Sequence, residues 1–248
     1  MQRPRFLTVG DLMLDVAVSG AGHDASVIVR PGGSAANAAV WAAACGAEVA
    51  VVGRVGDDLA GRALRAALEE RGVEARLAVD TERPTGTFAL VDGEIRADRG
   101  ANAGGWALPE LDADVVLVST YLDEEVVRAA VEQSRAGWVA VQGKPVEGAN
   151  AVFLNEQEAE ESLELLGERF RLACVTSGPE GAAAVLDGDV AHAQVSQAHD
   201  GVATGAGDAF AAAVLVTLAS GLPLQDALAE GWRCGALAVA SPDGWPVR

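Results

Sequence analysis

The sequence predicts an α/β fold in which helices cover both faces of a mostly parallel sheet. Apolar segments of strand length alternate with helix-length segments along most of the 248 residues, a rhythm typical of βαβ units. Two β-rich stretches, about residues 12–31 and 84–100, interrupt that rhythm. We therefore expect one domain over residues 1–248, with both stretches inserted as a small β-sheet lid.

The individual elements follow from apolar runs bounded by turn residues. Main-sheet strands are predicted over residues 6–9, 48–53, 73–79, 115–119, 138–142, 151–154, 172–176, 182–186 and 190–195. Helices are predicted over residues 34–46, 59–71, 123–136, 209–219 and 223–239, with a strongly acidic helix beginning at Asn155. Ser34 is the expected N-cap of the first helix. Asp92-Gly93 and Asp187-Gly188 are turn dipeptides that favour β-hairpins.

Composition excludes several classes of partner. The formal charge is -18, from 18 Lys+Arg against 36 Asp+Glu, and a field of that sign repels nucleic acid and anionic membranes. No apolar run reaches the roughly 20 residues that a membrane span needs. Three scattered cysteines and three histidines give neither a disulfide framework nor a zinc pattern. We expect a cytoplasmic protein whose anionic ligands arrive with Mg²⁺.

The segment Thr204-Gly205-Ala206-Gly207-Asp208 stands directly before an apolar helix. Glycines let the backbone approach a ligand, and the free amides of Gly205, Ala206 and Gly207 would face an anion at the helix N-terminus. A carboxylate at Asp208 would repel a resting phosphate. This conflict favours phosphoryl transfer, in which Asp208 takes a proton from the attacking hydroxyl.

Other polar residues also stand where α/β proteins bind ligands. Asp11 and Asp15 follow the first strand, and Gly32-Gly33 precede a helix that carries Asn37 in its first turn. A dinucleotide site is disfavoured because its third small position is Phe210. Lys144 lacks the flanking residues of a P-loop.

Taken together and in order, these motifs resemble the ribokinase-like (PfkB) carbohydrate kinase family over nearly the whole chain. The resemblance rests on Gly10-Asp11 with Asp15, Gly32-Gly33 with Asn37, residues 53–57, Ala101-Asn102, Asn155 with Glu158, residues 175–178 with 181–182, and residues 204–210.

The resemblance implies a three-layer α/β/α sandwich with a β lid, and ATP-dependent phosphorylation of a hydroxymethyl group on a small sugar or sugar acid. Asp208 would be the general base, and Gly205, Ala206 and Gly207 would form the anion hole. Substrate-binding positions would be Asp11, Asp15, Gly32, Gly33, Asn37 and Asn102. Nucleotide-binding positions would be Asn155, Thr176, Ser177, Gly178, Gly181 and Thr204. Asn155 and Glu158 would hold Mg²⁺ largely through water.

Two alternatives stay open at this point. One is a nucleoside kinase of the same fold, and the other is a catalytically idle sensor that binds a sugar or a nucleotide. Val202 stands where the family usually has an acidic residue, which favours the sensor. We also expect a homodimer that forms through the lid, because exposed strand edges tend to pair.

Overall fold

The computed structural model describes residues 3–193, 205–241 and 244–247. Its strands are β1 (Arg5–Val9), β2 (Met13–Ser19), β3 (Ser26–Gly32), β4 (Glu48–Gly56), β5 (Val73–Asp80), β6 (Gly86–Val91), β7 (Glu94–Asp98), β8 (Val115–Ser119), β9 (Trp138–Gln142), β10 (Ala151–Asn155), β11 (Leu172–Thr176), β12 (Ala182–Leu186) and β13 (Asp189–Ala193). Its α-helices are α1 (Ser34–Ala44), α2 (Leu59–Glu70), α3 (Glu124–Gln133), α4 (Leu163–Arg169), α5 (Ala206–Ala219) and α6 (Leu224–Ala240).

Within these ranges, nine strands form the central sheet in the order β13-β12-β11-β10-β9-β8-β1-β4-β5. The seven strands from β11 to β5 pair in parallel, whereas β12 and β13 are antiparallel. The winding direction reverses between β1 and β8. From β1 the chain adds β4 and β5 on one side of the sheet, and it then adds β8 and β9 on the other side. Ligands of open α/β sheets bind at such a reversal, beyond the carboxyl ends of the strands.

Helices cover both faces of this sheet, as the sequence predicts. Alternate residues of a strand point to opposite faces, so Phe6 and Leu7 of β1 belong to two different hydrophobic clusters. The first cluster includes α1, α2, α5 and α6, and the second includes α3 and α4. Helix α5 is buried along most of its length, which explains why its sequence is apolar on all sides.

A second sheet of four strands, in the order β3-β2-β6-β7, forms the lid. Its strands come from both β-rich stretches of the sequence, so the predicted fold class is confirmed. Two side chains hold the base of the lid. Asp58, the N-cap of α2, accepts hydrogen bonds from the amide and hydroxyl of Thr85 at 2.8 and 2.7 Å. The Asn102 side chain accepts a hydrogen bond from the Leu12 backbone N–H and donates one to the Leu12 carbonyl oxygen.

Two local predictions are wrong. Residues 156–158 form a turn instead of starting an acidic helix, because the Asn155 side chain accepts from the amides of Gln157 and Glu158. Helix α4 begins only after Ser162, whose hydroxyl accepts from the Leu165 amide. The N-cap of α1 is Gly33 and not Ser34, whose side chain turns to another partner. Over the described residues, no helix has the length and apolar character to span a bilayer.

Candidate active site

A cavity of about 550 Å³ lies at the carboxyl ends of the parallel strands, beneath the lid. The ends of β9, β10 and β11 form part of its wall, with α1, α5 and the lid strands around it. Residues singled out from the sequence that line it are Asp11, Asp15, Gly33, Asn37, Asn102, Asn155, Glu158, Thr176, Gly205, Gly207 and Asp208. The topology therefore brings together motifs that are widely separated along the chain.

Asp208 lies in the first turn of α5 and is buried beside the cavity. Its Oδ1 accepts hydrogen bonds from Ser34 Oγ at 2.8 Å and from Gln142 Nε2 at 2.7 Å. Its Oδ2 accepts from Asn37 Nδ2 at 2.9 Å. Three donors from α1 and β9 thus fix the orientation of this carboxylate.

The protonation of Asp208 reflects two opposing effects. Burial raises its pKa from 3.8 to about 6, since burial penalises the charged form. The hydrogen bonds from Asn37, Ser34 and Gln142 act in the opposite direction because they stabilise the anion. The carboxylate is therefore ionised at neutral pH, with a pKa close to the range that suits a general base.

Asp11 and Asp15 place two more buried carboxylates at the same cavity. Asp11 accepts from Ser119 Oγ at 2.9 Å and from the Ser34 amide at 3.2 Å, which joins the ends of β1 and β8. Burial raises the pKa of Asp11. Burial also raises the pKa of Asp15 to about 6, although Arg30 at 3.8 Å opposes the shift.

Two adjacent glycines allow the chain to pass closely over these carboxylates. A Cβ at Gly32 would lie 2.5 Å from Asp15 Oδ2. Gly33 has a φ of +92°, and a Cβ there would lie 2.5 Å from the carbonyl oxygen of Asp11. Gly33 lines the cavity. Gly32 does not, but it lies against the side chain of Asp15, which does.

The N-terminus of α5 has the features of an anion site. Gly205 is the N-cap in a left-handed conformation with φ 86°, and no side chain within the described residues caps this end of the helix. Gly205 and Gly207 face the cavity, while Ala206 lies in the helix between them. Uncapped amides and the helix dipole both favour an anionic group here.

Asn155 and Glu158 are joined in the turn that follows β10. Glu158 Oε2 accepts from the Asn155 amide at 3.0 Å, and Glu158 Oε1 accepts from the Tyr121 hydroxyl at 2.9 Å. Desolvation and this carboxylate raise the pKa of Tyr121, so its hydroxyl stays protonated. The arrangement presents a carboxylate to the cavity from a defined position.

The other expected ligand-binding residues differ in location. The Asn102 amide makes its hydrogen bonds to backbone groups of Leu12 and Arg99, although the residue lines the cavity. Thr176, at the end of β11, also lines it. Ser177, Gly178 and Gly181 form the turn after β11 and lie beyond the cavity wall. Thr204 is outside the described residues.

Several residues that contact the site were not predicted from the sequence. Gln142 is the last residue of β9, so its position at a carboxyl strand end could have identified it. Ser34 is expected only as a helix cap, but its hydroxyl donates to Asp208 Oδ1. Trp245 donates its indole N–H to Asn37 Oδ1 at 2.9 Å from 208 positions away. No local pattern signals that last contact.

Comparisons with known proteins identify the family of this chain. The model of the pfkB family carbohydrate kinases matches residues 5–136 and 144–244. D-beta-D-heptose 7-phosphate kinase of Bordetella bronchiseptica is 31% identical, over 96% of this chain and 91% of that protein. The ribokinase of Bacillus subtilis is 30% identical, over 88% of this chain and 85% of that protein.

Solved structures show the same fold. The structure of Arabidopsis thaliana ribokinase complexed with ribose and ATP aligns with a TM-score of 0.81 at 22% identity, over 99% of this chain and 96% of that chain. With matches of this extent in both sequence and fold, the chain belongs to the pfkB family of carbohydrate kinases and is a phosphotransferase that acts on an alcohol group.

Proposed function

We propose that this protein transfers the γ-phosphoryl group of ATP to a hydroxymethyl group of a small sugar, with Asp208 as the general base. The observation that carries the proposal is the environment of Asp208. It is a buried carboxylate held by three donors at an uncapped helix N-terminus, on the wall of a cavity that a sugar would fill.

The α5 N-terminus would contribute a carboxylate for proton transfer and backbone amides for charge stabilisation. Asp208 would accept the proton of the acceptor hydroxyl as the oxygen attacks phosphorus. The amides of Gly205, Ala206 and Gly207 would stabilise the charge on the transferring phosphoryl group, because they are already oriented before the reaction. Thr176, Ser177, Gly178, Gly181 and Thr204 are the residues that we propose for the nucleotide side.

The charges around the cavity favour a neutral sugar over a sugar acid. Asp11, Asp15 and Asp208 are buried there, and each would accept hydrogen bonds from hydroxyl groups and repel a carboxylate. The nearby cations already have acidic partners. Arg99 Nη1 lies 2.7 Å from Asp123 Oδ1, and Arg30 Nε lies 3.8 Å from Asp15 Oδ2. Asn37, Gly33 and Asn102 would complete the sugar site.

Glu158 fits Mg²⁺ held through water, whereas the Asn155 side-chain oxygen already accepts from the amides of Gln157 and Glu158 and would support the turn that carries Glu158. Mg²⁺ prefers oxygen ligands and keeps several of its waters. The two Glu158 oxygens each accept one protein hydrogen bond, which leaves lone pairs for water. When bound, the ion would neutralise charge on the phosphates of ATP.

Replacement of Glu158 should therefore weaken Mg²⁺ binding. Glu158→Gln should raise the Mg²⁺ concentration for half-maximal activity by roughly 10–100-fold, the range for losing an outer ligand of a metal. The exposed Glu156 is two residues away on the same turn, so Glu156→Gln is the matched control. Tyr121→Phe removes only the hydrogen bond from the Tyr121 hydroxyl to Glu158, and it should change the required Mg²⁺ concentration much less. Equal Mg²⁺ curves for Glu158→Gln and Glu156→Gln would contradict the assignment.

Activity should fall at acidic pH because Asp208 and Asp15 both have pKa values of about 6. A plot of log kcat/KM should decline below that pH with a slope greater than one, and Asp15→Asn should make the slope shallower. Protonation of these two carboxyls does not itself destabilise the fold. A carboxyl whose pKa is raised in the folded state favours folding as pH falls through that value. A profile that stays flat from pH 5 to pH 8 would exclude Asp208 as the base.

The outer edge of the lid favours pairing with a second copy of this chain. Strand β3 is an edge of the smaller sheet, and its Val27, Ile28 and Val29 are 60%, 53% and 57% exposed. Exposed apolar edges tend to pair. Ile28→Lys should convert a dimer into a monomer in analytical ultracentrifugation. Val190→Lys, at an equally exposed valine on β13 of the main sheet, should not. A monomeric wild-type protein would overturn the proposal.

The acceptor can be identified by measuring ADP release with ATP and Mg²⁺ across neutral sugars, sugar acids and nucleosides. We expect the fastest turnover with a neutral sugar that carries a free hydroxymethyl group. Preference for a nucleoside would favour the second candidate, for which Phe88 on the cavity wall could stack against a base. Ligand binding without turnover for any acceptor would favour the idle sensor.

A further inference from the structure

A group of metal-ligating side chains lies where the C-terminal end of α1 meets α6. It consists of Cys45, the C-cap of α1, together with Glu230 and Cys234 on α6. Helix α1 has 11 residues, so Cys45 is about 16 Å along the axis from the end that contacts Asp208. The cluster is therefore separate from the candidate active site.

The distances within this cluster match those of a metal site. The two sulfurs are 3.7 Å apart, and Cys234 Sγ lies 3.8 Å from Glu230 Oε1. All three ligand atoms lie within 4.8 Å of one another. Two thiolates at 2.3 Å from a tetrahedral Zn²⁺ are about 3.8 Å apart. The sulfurs already have the separation that such an ion requires, without movement of either helix.

The charges around the cluster also balance. Two thiolates and one carboxylate carry three negative charges, and a divalent ion supplies two positive ones. Arg233 supplies the third, because its guanidinium binds both oxygens of Glu230 at 2.5 and 2.8 Å and approaches Cys234 Sγ at 3.5 Å. A loaded site would thus be neutral overall, which suits a partly buried position.

We propose that Cys45, Cys234 and Glu230 bind one thiophilic divalent cation of the Zn²⁺ class, with water as the fourth ligand. Cys45 is only half-buried, so an ion can reach the site from solvent. In the metal-free protein the hydrogen bond between the two sulfurs lowers the pKa of Cys45 and raises that of Cys234, so a bound cation would have to displace the proton of Cys234. Cys174 is different, since it is buried in β11 and burial alone raises its pKa.

Cobalt binding provides the test, because Co²⁺ occupies tetrahedral thiolate sites and its thiolate bonds absorb light. Tag-free protein, reduced with a phosphine and freed of metals, is titrated with Co²⁺ in the absence of ATP. We expect a thiolate-to-cobalt absorption band that saturates at about one equivalent and disappears when Zn²⁺ is added. Cys45→Ser and Cys234→Ser should each abolish the band and Glu230→Gln should weaken it. The matched control Cys174→Ala should retain it.

A second measurement uses the wild-type protein and so does not depend on the folding of variants. Zn²⁺ should slow alkylation of Cys45 by iodoacetamide, as read by mass spectrometry. Absence of a cobalt band in the wild-type protein, or a band that both serine variants retain, would overturn the proposal. Formation of a Cys45–Cys234 disulfide in air, with no metal bound by the reduced protein, would also overturn it.

Discussion

Asp208→Asn is expected to lower kcat by roughly 10²–10⁴-fold, the usual contribution of a general base. The amide has the same size as the carboxylate but cannot take the proton of the acceptor hydroxyl. The fold should survive this change. Gln142 Oε1 is buried without a hydrogen-bond partner in the described structure, so a flip of the Gln142 amide would let that oxygen accept from the new amide nitrogen.

The matched control for this change is Asp226→Asn. Asp226 also lies in the first turn of a helix, α6, but it is exposed to solvent. Product formation, circular dichroism and acceptor binding are measured for both variants. We expect normal activity for Asp226→Asn, and normal folding and acceptor binding for both. An active Asp208→Asn variant would contradict the assignment of Asp208 as the base.

Gly33→Ala is expected to cause the largest loss of stability among changes at the site. Gly33 has φ 92° and ψ 145°, a conformation that is available almost only to glycine. The added Cβ would also lie 2.5 Å from the Asp11 carbonyl oxygen, and backbone atoms cannot easily move away. Strain and overpacking together should lower the free energy of unfolding by at least about 3 kcal/mol.

Gly46→Ala separates these two causes. Gly46 has nearly the same φ, +93°, but a Cβ there would meet no atom within 4 Å. Its replacement should cost only about 1–2 kcal/mol, the penalty of a left-handed backbone. Denaturant unfolding of the two variants measures the difference. Equal losses would show that the approach to Asp11 does not constrain the site.

The sequence predicted the elements whose signals are local. The bounds of β8, β9 and β11 agree with the expectation, because each is a run of four apolar residues followed by one polar residue. The expected helix at Asn155 failed for a local reason as well. The amides of Gln157 and Glu158 bond to the Asn155 side chain, so the charged residues that follow do not continue into a helix there.

The candidate site was predictable in part. Motifs at strand ends and helix N-termini identify Asp11, Asn37 and Asp208, because parallel strands direct their carboxyl ends to one edge. The contacts of these residues were not predictable. Gln142 reaches Asp208 across 66 positions and Trp245 reaches Asn37 across 208. Such pairs depend on how α1, α5 and the C-terminal segment pack against one another, and local sequence patterns do not predict that packing.

The most direct test of the central claim is the ³¹P NMR spectrum of the product formed from ATP and the best acceptor. The account predicts a phosphate monoester whose signal is split by the two protons of a CH₂ group, and no such signal from Asp208→Asn over the same reaction time. Inorganic phosphate as the product, or a monoester split by a single ring proton, would contradict transfer to a hydroxymethyl group. Equal product yields from the wild-type protein and Asp208→Asn would contradict the role of Asp208.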